Sequence, residues 1–80
     1  MIGPPLHEEV AKRLAVFLGP HTARNAVRTF APRSTGRQAE QLVRSDVPAL
    51  LEALRPMLRT LIGDESAKLL IAQILREVGS

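Results

Sequence analysis

Asp46-Val47-Pro48-Ala49-Leu50-Leu51-Glu52-Ala53-Leu54-Arg55-Pro56-Met57-Leu58-Arg59-Thr60-Leu61-Ile62-Gly63 is the stretch whose reading decides the fold. Its apolar residues Val47, Leu50, Leu51, Leu54, Met57, Leu58, Leu61 and Ile62 recur at steps of three and four, the spacing of one helix face. Pro56 removes a backbone hydrogen bond and crowds the carbonyl of Glu52. The stripe nevertheless stays in phase across it, which predicts one kinked helix in place of two. Gly63 followed by Asp64 reads as a stop and a new start, a closing glycine and then an N-cap. Ser45 and Asp46 are the corresponding cap candidates at the beginning.

The same period continues on both sides. Downstream, Ala67, Leu70, Ile71, Ile74, Leu75 and Val78 form the last stripe, with Leu69 and Ala72 off its centre and expected as further core contacts. Upstream, Leu6, Val10, Leu14, Phe17 and Leu18 form the first stripe, opened by Pro4 and Pro5 and closed by Gly19 and Pro20. Glu8–Lys12 and Glu9–Arg13 are i,i+4 pairs in the favourable order. Ala23, Ala26, Val27 and Phe30 make a second stripe, expected to end at Pro32. Pro32-Arg33-Ser34-Thr35-Gly36 reads as a loop, and Thr35 with Gln38 has the form of a capping box. Ala39, Leu42 and Val43 then predict a short helix of two turns. No segment alternates with period two, and no internal repeat or low-complexity tract is read. The expectation is an all-α, compact bundle of five to six short helices, a single domain over residues 1–80, with Val78-Gly79-Ser80 as a surface end of a module cut from a longer protein.

Composition narrows the function. Phe17 and Phe30 are the only aromatics, which argues against stacking platforms for single-stranded nucleic acid. There is no cysteine, so disulfides, thiolate metal sites and a cysteine nucleophile are excluded. Two histidines, His7 and His21, without clustered carboxylates make a poor metal site, and no Ser sits in a Gly-x-Ser-x-Gly turn. The chain is therefore expected to be no enzyme and to need no cofactor or metal. Met1-Ile2-Gly3-Pro4-Pro5 lacks the basic and apolar regions of a secretory leader, and no apolar run spans a bilayer; a cytoplasmic location is expected. The net charge of +3 is uneven, with Arg24, Arg28, Arg33, Arg37 and Arg44 facing Glu40 alone between His21 and Arg44. Pro20 to Val43 has a helix-turn-helix outline, and Gly36 to Arg44 would offer Arg37, Gln38, Gln41 and Arg44 to a major groove. Nucleic-acid binding is thus the alternative reading, disfavoured against a protein partner.

Two segments carry a resemblance: Leu18-Gly19-Pro20-His21-Thr22-Ala23-Arg24-Asn25-Ala26-Val27 with Phe30-Ala31, and Asp46 through Gly63 with its Leu54-Arg55-Pro56-Met57-Leu58-Arg59-Thr60-Leu61 run. Together they resemble bacterial caspase-recruitment-like adaptor domains, effector-associated modules of the death-fold superfamily. The resemblance implies a six-helix bundle that recognises similar modules on other chains, self-association included. It also implies a connection to an effector such as a protease or pore-former in signalling or antiphage defence. Death-fold contacts set a basic patch on one copy against an acidic patch on the next. Here those would be Arg24 and Arg28 against Glu8, Glu9, Asp46 and Glu52. Such a head-to-tail contact does not close and can build a filament.

Overall fold

A computed structural model describes residues 5–78. Four α-helices follow one another: α1 (Leu6–Leu18), α2 (Pro20–Thr35), α3 (Val47–Ile62) and α4 (Asp64–Glu77). Two 3-10 turns, Ala39–Gln41 and Arg44–Asp46, join α2 to α3, and there is no strand among the described residues. The all-helical, compact class is as expected. The helix count is not: the segment expected as a short helix after Gly36 is one 3-10 turn followed by extended residues Leu42 and Val43. The stretch Gly36 to Arg44 accordingly forms no recognition helix.

Each boundary has a local cause. The Pro5 carbonyl accepts the first free N–H groups of α1, from Glu8 at 3.0 Å and Glu9 at 3.1 Å. Residues 1–4, Pro4 among them, and Gly79 and Ser80 of the expected surface tail lie outside the described residues. Gly19 both closes α1 and opens α2. Its N–H donates to Ala15 O at 2.8 Å, and its own carbonyl accepts from Ala23 N–H at 3.0 Å. This one-residue joint needs φ 85° and ψ 154°, a region essentially restricted to glycine. Gly63 repeats the arrangement between α3 and α4, at φ 89° and ψ 161°, donating to Arg59 O and accepting from Ala67 N–H.

Pro56 does not break α3, in keeping with the in-phase stripe. Pro32 does not end α2 either, contrary to expectation: the helix runs three residues further, to Thr35. Proline deprives only the Arg28 carbonyl of its partner, and the bonds beyond it re-form. Gly36 N–H donates to Pro32 O at 3.0 Å, Ser34 Oγ to Phe30 O at 2.7 Å and Thr35 Oγ1 to Ala31 O at 2.8 Å. Buried Ala31 keeps this last turn on the core. The Thr35–Gln38 capping box does not form, because the Thr35 hydroxyl is engaged with Ala31 O and with Arg37 N–H. A reciprocal pair appears one turn later, where Gln38 N–H donates to Gln41 Oε1 at 3.3 Å and Gln41 N–H to Gln38 O at 2.9 Å.

Leu14, Leu50, Leu51, Leu54, Leu58 and Ile74 are fully enclosed, with Val10, Val27 and Val47 beside them. Burial of each such side chain contributes about 1.5–3 kcal/mol. No polar or charged residue is buried among the described residues. Four apolar residues expected inside are outside: Phe17 is 46% exposed, Leu61 53% and Leu69 70%, and Ala72 is exposed as well. Phe17 and Leu61 sit at the last turn of α1 and α3, beside the glycine joints. There the chain swings away and leaves nothing to cover them. Val78, expected in the tail, is buried.

The matching joints set up a sparse correspondence between the two halves of the chain, with five identities between residues 6–35 and 50–79, Gly19 and Gly63 among them. Shifting the sequence by 44 residues, the interval from Gly19 to Gly63, superimposes Leu6 on Leu50, Glu8 on Glu52, Leu14 on Leu58 and Ala23 on Ala67, all identical. Burial follows the same register. Val10 and Leu54, Leu14 and Leu58, Ala23 and Ala67, Ala26 and Leu70, and Val27 and Ile71 are all buried. Phe17 and Leu61 are both exposed. The molecule is two helix–glycine–helix units, an N-terminal one (α1 and α2) and a C-terminal one (α3 and α4), linked by the 3-10 turns.

Candidate functional site

The one-residue joint at Gly19 folds α1 and α2 back on each other, and the first 3-10 turn lies across their far ends. Between them is an open groove of about 750 Å³. Small side chains make its floor: Ala11 and Ala15 from α1, Val27 from α2 and Ala39 from the 3-10 turn. The rim carries Glu8, Lys12, Arg24, Arg28 and Glu40, and His7 closes one end. Arg24 and Arg28 share this rim because four residues are close to one helical turn.

Four of the six sequence-predicted contact residues, Glu8, Glu9, Arg24 and Arg28, line this groove, and three of them are not engaged by an internal ion pair. Those three, Glu8, Arg24 and Arg28, form no ion pair among the described residues. Lys12 and Glu40 likewise have no ion-pair partner among the described residues. The expected Glu8–Lys12 pair does not form, whereas Glu9–Arg13 does, at 2.5 Å.

The other three predicted residues are engaged inside the molecule. Glu9 reaches the groove but is held by Arg13, whose Nε also donates to Glu77 Oε1 at 3.0 Å and so ties α1 to α4. Hydrogen bonds to Glu9 and then to Glu77 hold the Arg13 guanidinium above its ordinary pKa. Asp46, expected to cap α3, turns back: Oδ2 accepts the Val43 N–H at 3.2 Å and pairs with Arg37 at 3.2 Å. Glu52 accepts from Arg55 Nη2 at 2.6 Å, and that hydrogen bond holds its carboxyl below the usual glutamate range. Asp46 and Glu52 do not line the groove. The expected separation of basic and acidic faces is therefore replaced by one face that carries both signs.

Sequence reasoning missed Lys12, Glu40 and the alanine floor. Spacing alone pairs Lys12 with Glu8, and Glu40 enters the groove only because the 3-10 turn packs against α1 and α2. His7 is half-buried, and its Nδ1 is enclosed without a hydrogen-bond partner among the described residues. It occupies the position that corresponds to Leu51, a core residue. His21 is exposed in the first turn of α2.

No group of three or more His, Cys, Asp or Glu side chains able to hold a metal ion occurs among the described residues. No described helix is long and apolar enough to cross a membrane. A second, smaller groove near Leu6, Val43 and Val78 is bordered by Arg13 and Glu77, which bond each other. Comparison with protein-family models, with curated proteins and with solved structures gives no match for this chain.

Proposed function

We propose that this chain is a non-catalytic adaptor that binds other protein chains of similar make, its own copies included, through the groove between α1 and α2. The observation that carries the reading is the set of unpaired charges of both signs, Glu8, Lys12, Arg24, Arg28 and Glu40, around a floor of small apolar side chains. Charges left without internal partners are available to a neighbour. A floor of alanines admits an incoming helix closely. The likeness of the Leu18–Val27 and Asp46–Gly63 segments to death-fold adaptor modules supports the same reading, and with it a place in bacterial signalling or antiphage defence. An effector such as a protease or pore-former would be the downstream partner.

Geometry also shapes the contact. A single exposed ion pair contributes only about 0–1 kcal/mol, so binding rests on several pairs acting with burial of the floor. Because acid and base share one face, two copies can meet through the same surface, Glu8 of each against Arg24 and Arg28 of the other. That isologous contact closes as a dimer, where separated patches would extend as a filament.

Sedimentation of wild type and of the Arg24→Glu/Arg28→Glu variant tests this. Reversal of both charges is expected to weaken self-association at least about ten-fold, the equivalent of about 1.4 kcal/mol, with the helical circular dichroism unchanged. Undiminished assembly of the variant, or strongly salt-dependent binding of duplex DNA through the same two arginines, would overturn the proposal.

A further inference from the structure

The two units allow a comparison within one molecule. In the 44-residue register Glu8 corresponds to Glu52 and Arg24 to Lys68. The C-terminal unit satisfies both charges internally: Glu52 pairs with Arg55 at 2.6 Å, and Lys68 pairs with Asp64 at 3.2 Å. Asp64 also pairs with Arg59 at 3.1 Å. In the N-terminal unit the positions of Arg55, Asp64 and Arg59 are held by Ala11, Pro20 and Ala15. None of these has a charge to offer, and Glu8 and Arg24 have no ion-pair partner among the described residues.

We infer that the chain is a duplicated unit in which the N-terminal copy is the open, binding copy and the C-terminal copy is closed, with Ala11 and Pro20 as the residues that keep the binding copy open. The inference rests on the groove being the docking surface. Its physical basis is competition. A carboxylate or cation already held by a neighbour one turn away must give up that contact before it serves a partner. Alanine at 11 and 15 also puts small side chains in the groove, where the corresponding Arg55 and Arg59 are long and already paired with Glu52 and Asp64. Proline suits the first position of α2, because the N–H it lacks would have no partner within the helix. Asp64 fills the same position in α4 and can reach Lys68 four residues on.

The substitutions that test this leave every charged rim residue in place, although Ala11 and Pro20 themselves line the groove. Ala11→Arg supplies the counterpart of Arg55 and Pro20→Asp the counterpart of Asp64; both residue types are compatible with their helix positions. The double variant is expected to sediment as a three- to ten-fold weaker self-associating species, the loss of about two exposed ion pairs from the interface. Arg55→Ala/Arg59→Ala/Asp64→Pro opens the second copy in the same way, and complexes larger than those of wild type are expected. Helical circular dichroism establishes that each variant is folded. A double-mutant cycle in thermal unfolding supplies a reading free of any partner: Ala11→Arg against Glu8→Gln should show a coupling like that of Arg55→Ala against Glu52→Gln.

If Arg24→Glu/Arg28→Glu impairs assembly but the closing variant assembles as wild type, the groove stands and this inference falls. If neither variant changes assembly, the docking reading itself falls. Absence of coupling in the cycle, or wild-type stoichiometry in the opened variant, likewise overturns the division of labour between the copies.

Discussion

Replacing Gly63 by alanine isolates the cost of the joint that defines each unit. At φ 89° and ψ 161° the residue occupies a region that L side chains rarely adopt, and an added Cβ would meet no atom within 4 Å. The penalty is therefore backbone strain alone, about 1–3 kcal/mol, with no clash to relieve. Alanine also restricts the unfolded chain, which returns about 0.4–1 kcal/mol. The net expectation for Gly63→Ala is a loss of about 1–2 kcal/mol, or about 5–15 °C in Tm for a domain of this size. Gly19→Ala should cost the same, since its dihedral angles and its empty surroundings match. Gly36, at φ 77° and ψ 4°, lies in the left-handed helical region, where an L residue pays about 1–2 kcal/mol. After the same unfolded-state offset, Gly36→Ala should lose no more than about 1.6 kcal/mol. Urea unfolding followed by circular dichroism measures all three. Unchanged stability in Gly63→Ala refutes the strain argument, and a difference above about 1 kcal/mol between the Gly19 and Gly63 variants refutes the equivalence of the joints.

Two further outcomes follow from the core and the surface. Leu58→Ala removes a fully enclosed side chain and should cost about 2–5 kcal/mol, a large part of the roughly 4–12 kcal/mol that 0.05–0.15 kcal/mol per residue allows this chain; a calorimetric Tm within a few degrees of wild type would contradict its placement. The hydrogen bond from Arg55 lowers the Glu52 pKa, so its contribution is present above the unfolded glutamate value of about 4.3 and is lost as pH falls through the lower folded value. Arg55→Ala should flatten the acid limb of a stability–pH curve and leave neutral pH nearly unchanged; an identical acid limb in the variant would show that the pair adds nothing.

The long elements were legible in the sequence because periodicity and breakers agreed there. Val47 to Ile62 held its phase through Pro56, and Gly63 with Asp64 marked a boundary that the joint then occupies. The reading failed where a single residue type was taken as decisive. Pro32 looked like a terminator, yet hydroxyl and backbone bonds from Ser34, Thr35 and Gly36 carry α2 past it. Ala39, Leu42 and Val43 looked like one helix face, but Ala39 and Leu42 are buried from a 3-10 turn and an extended residue. Half of the candidate site was legible in the same sense. Charge type and helix position placed Glu8, Arg24 and Arg28 on the surface, but which charges are already spent depends on neighbours. Arg37 comes close to Asp46 only once the 3-10 turns are placed, whereas Arg55 for Glu52 is an i,i+3 pair that helix spacing alone offers. The correspondence of the two halves is faint along the chain because only five aligned positions are identical, and the rest of it lies in burial and dihedral angles.

A chain assembled from two self-contained helix pairs has consequences for how it reaches its native state. Most partners are near neighbours in the chain, so little loop-closure entropy is spent before favourable contacts form. Relative contact order is accordingly low, and helical domains of that kind fold within microseconds to milliseconds. Separation of the halves would then expose the seam between α2 and α3 while each pair keeps part of its own packing. The meeting of those halves is then the expected rate-limiting event, which φ-values measured across the α2–α3 seam would check.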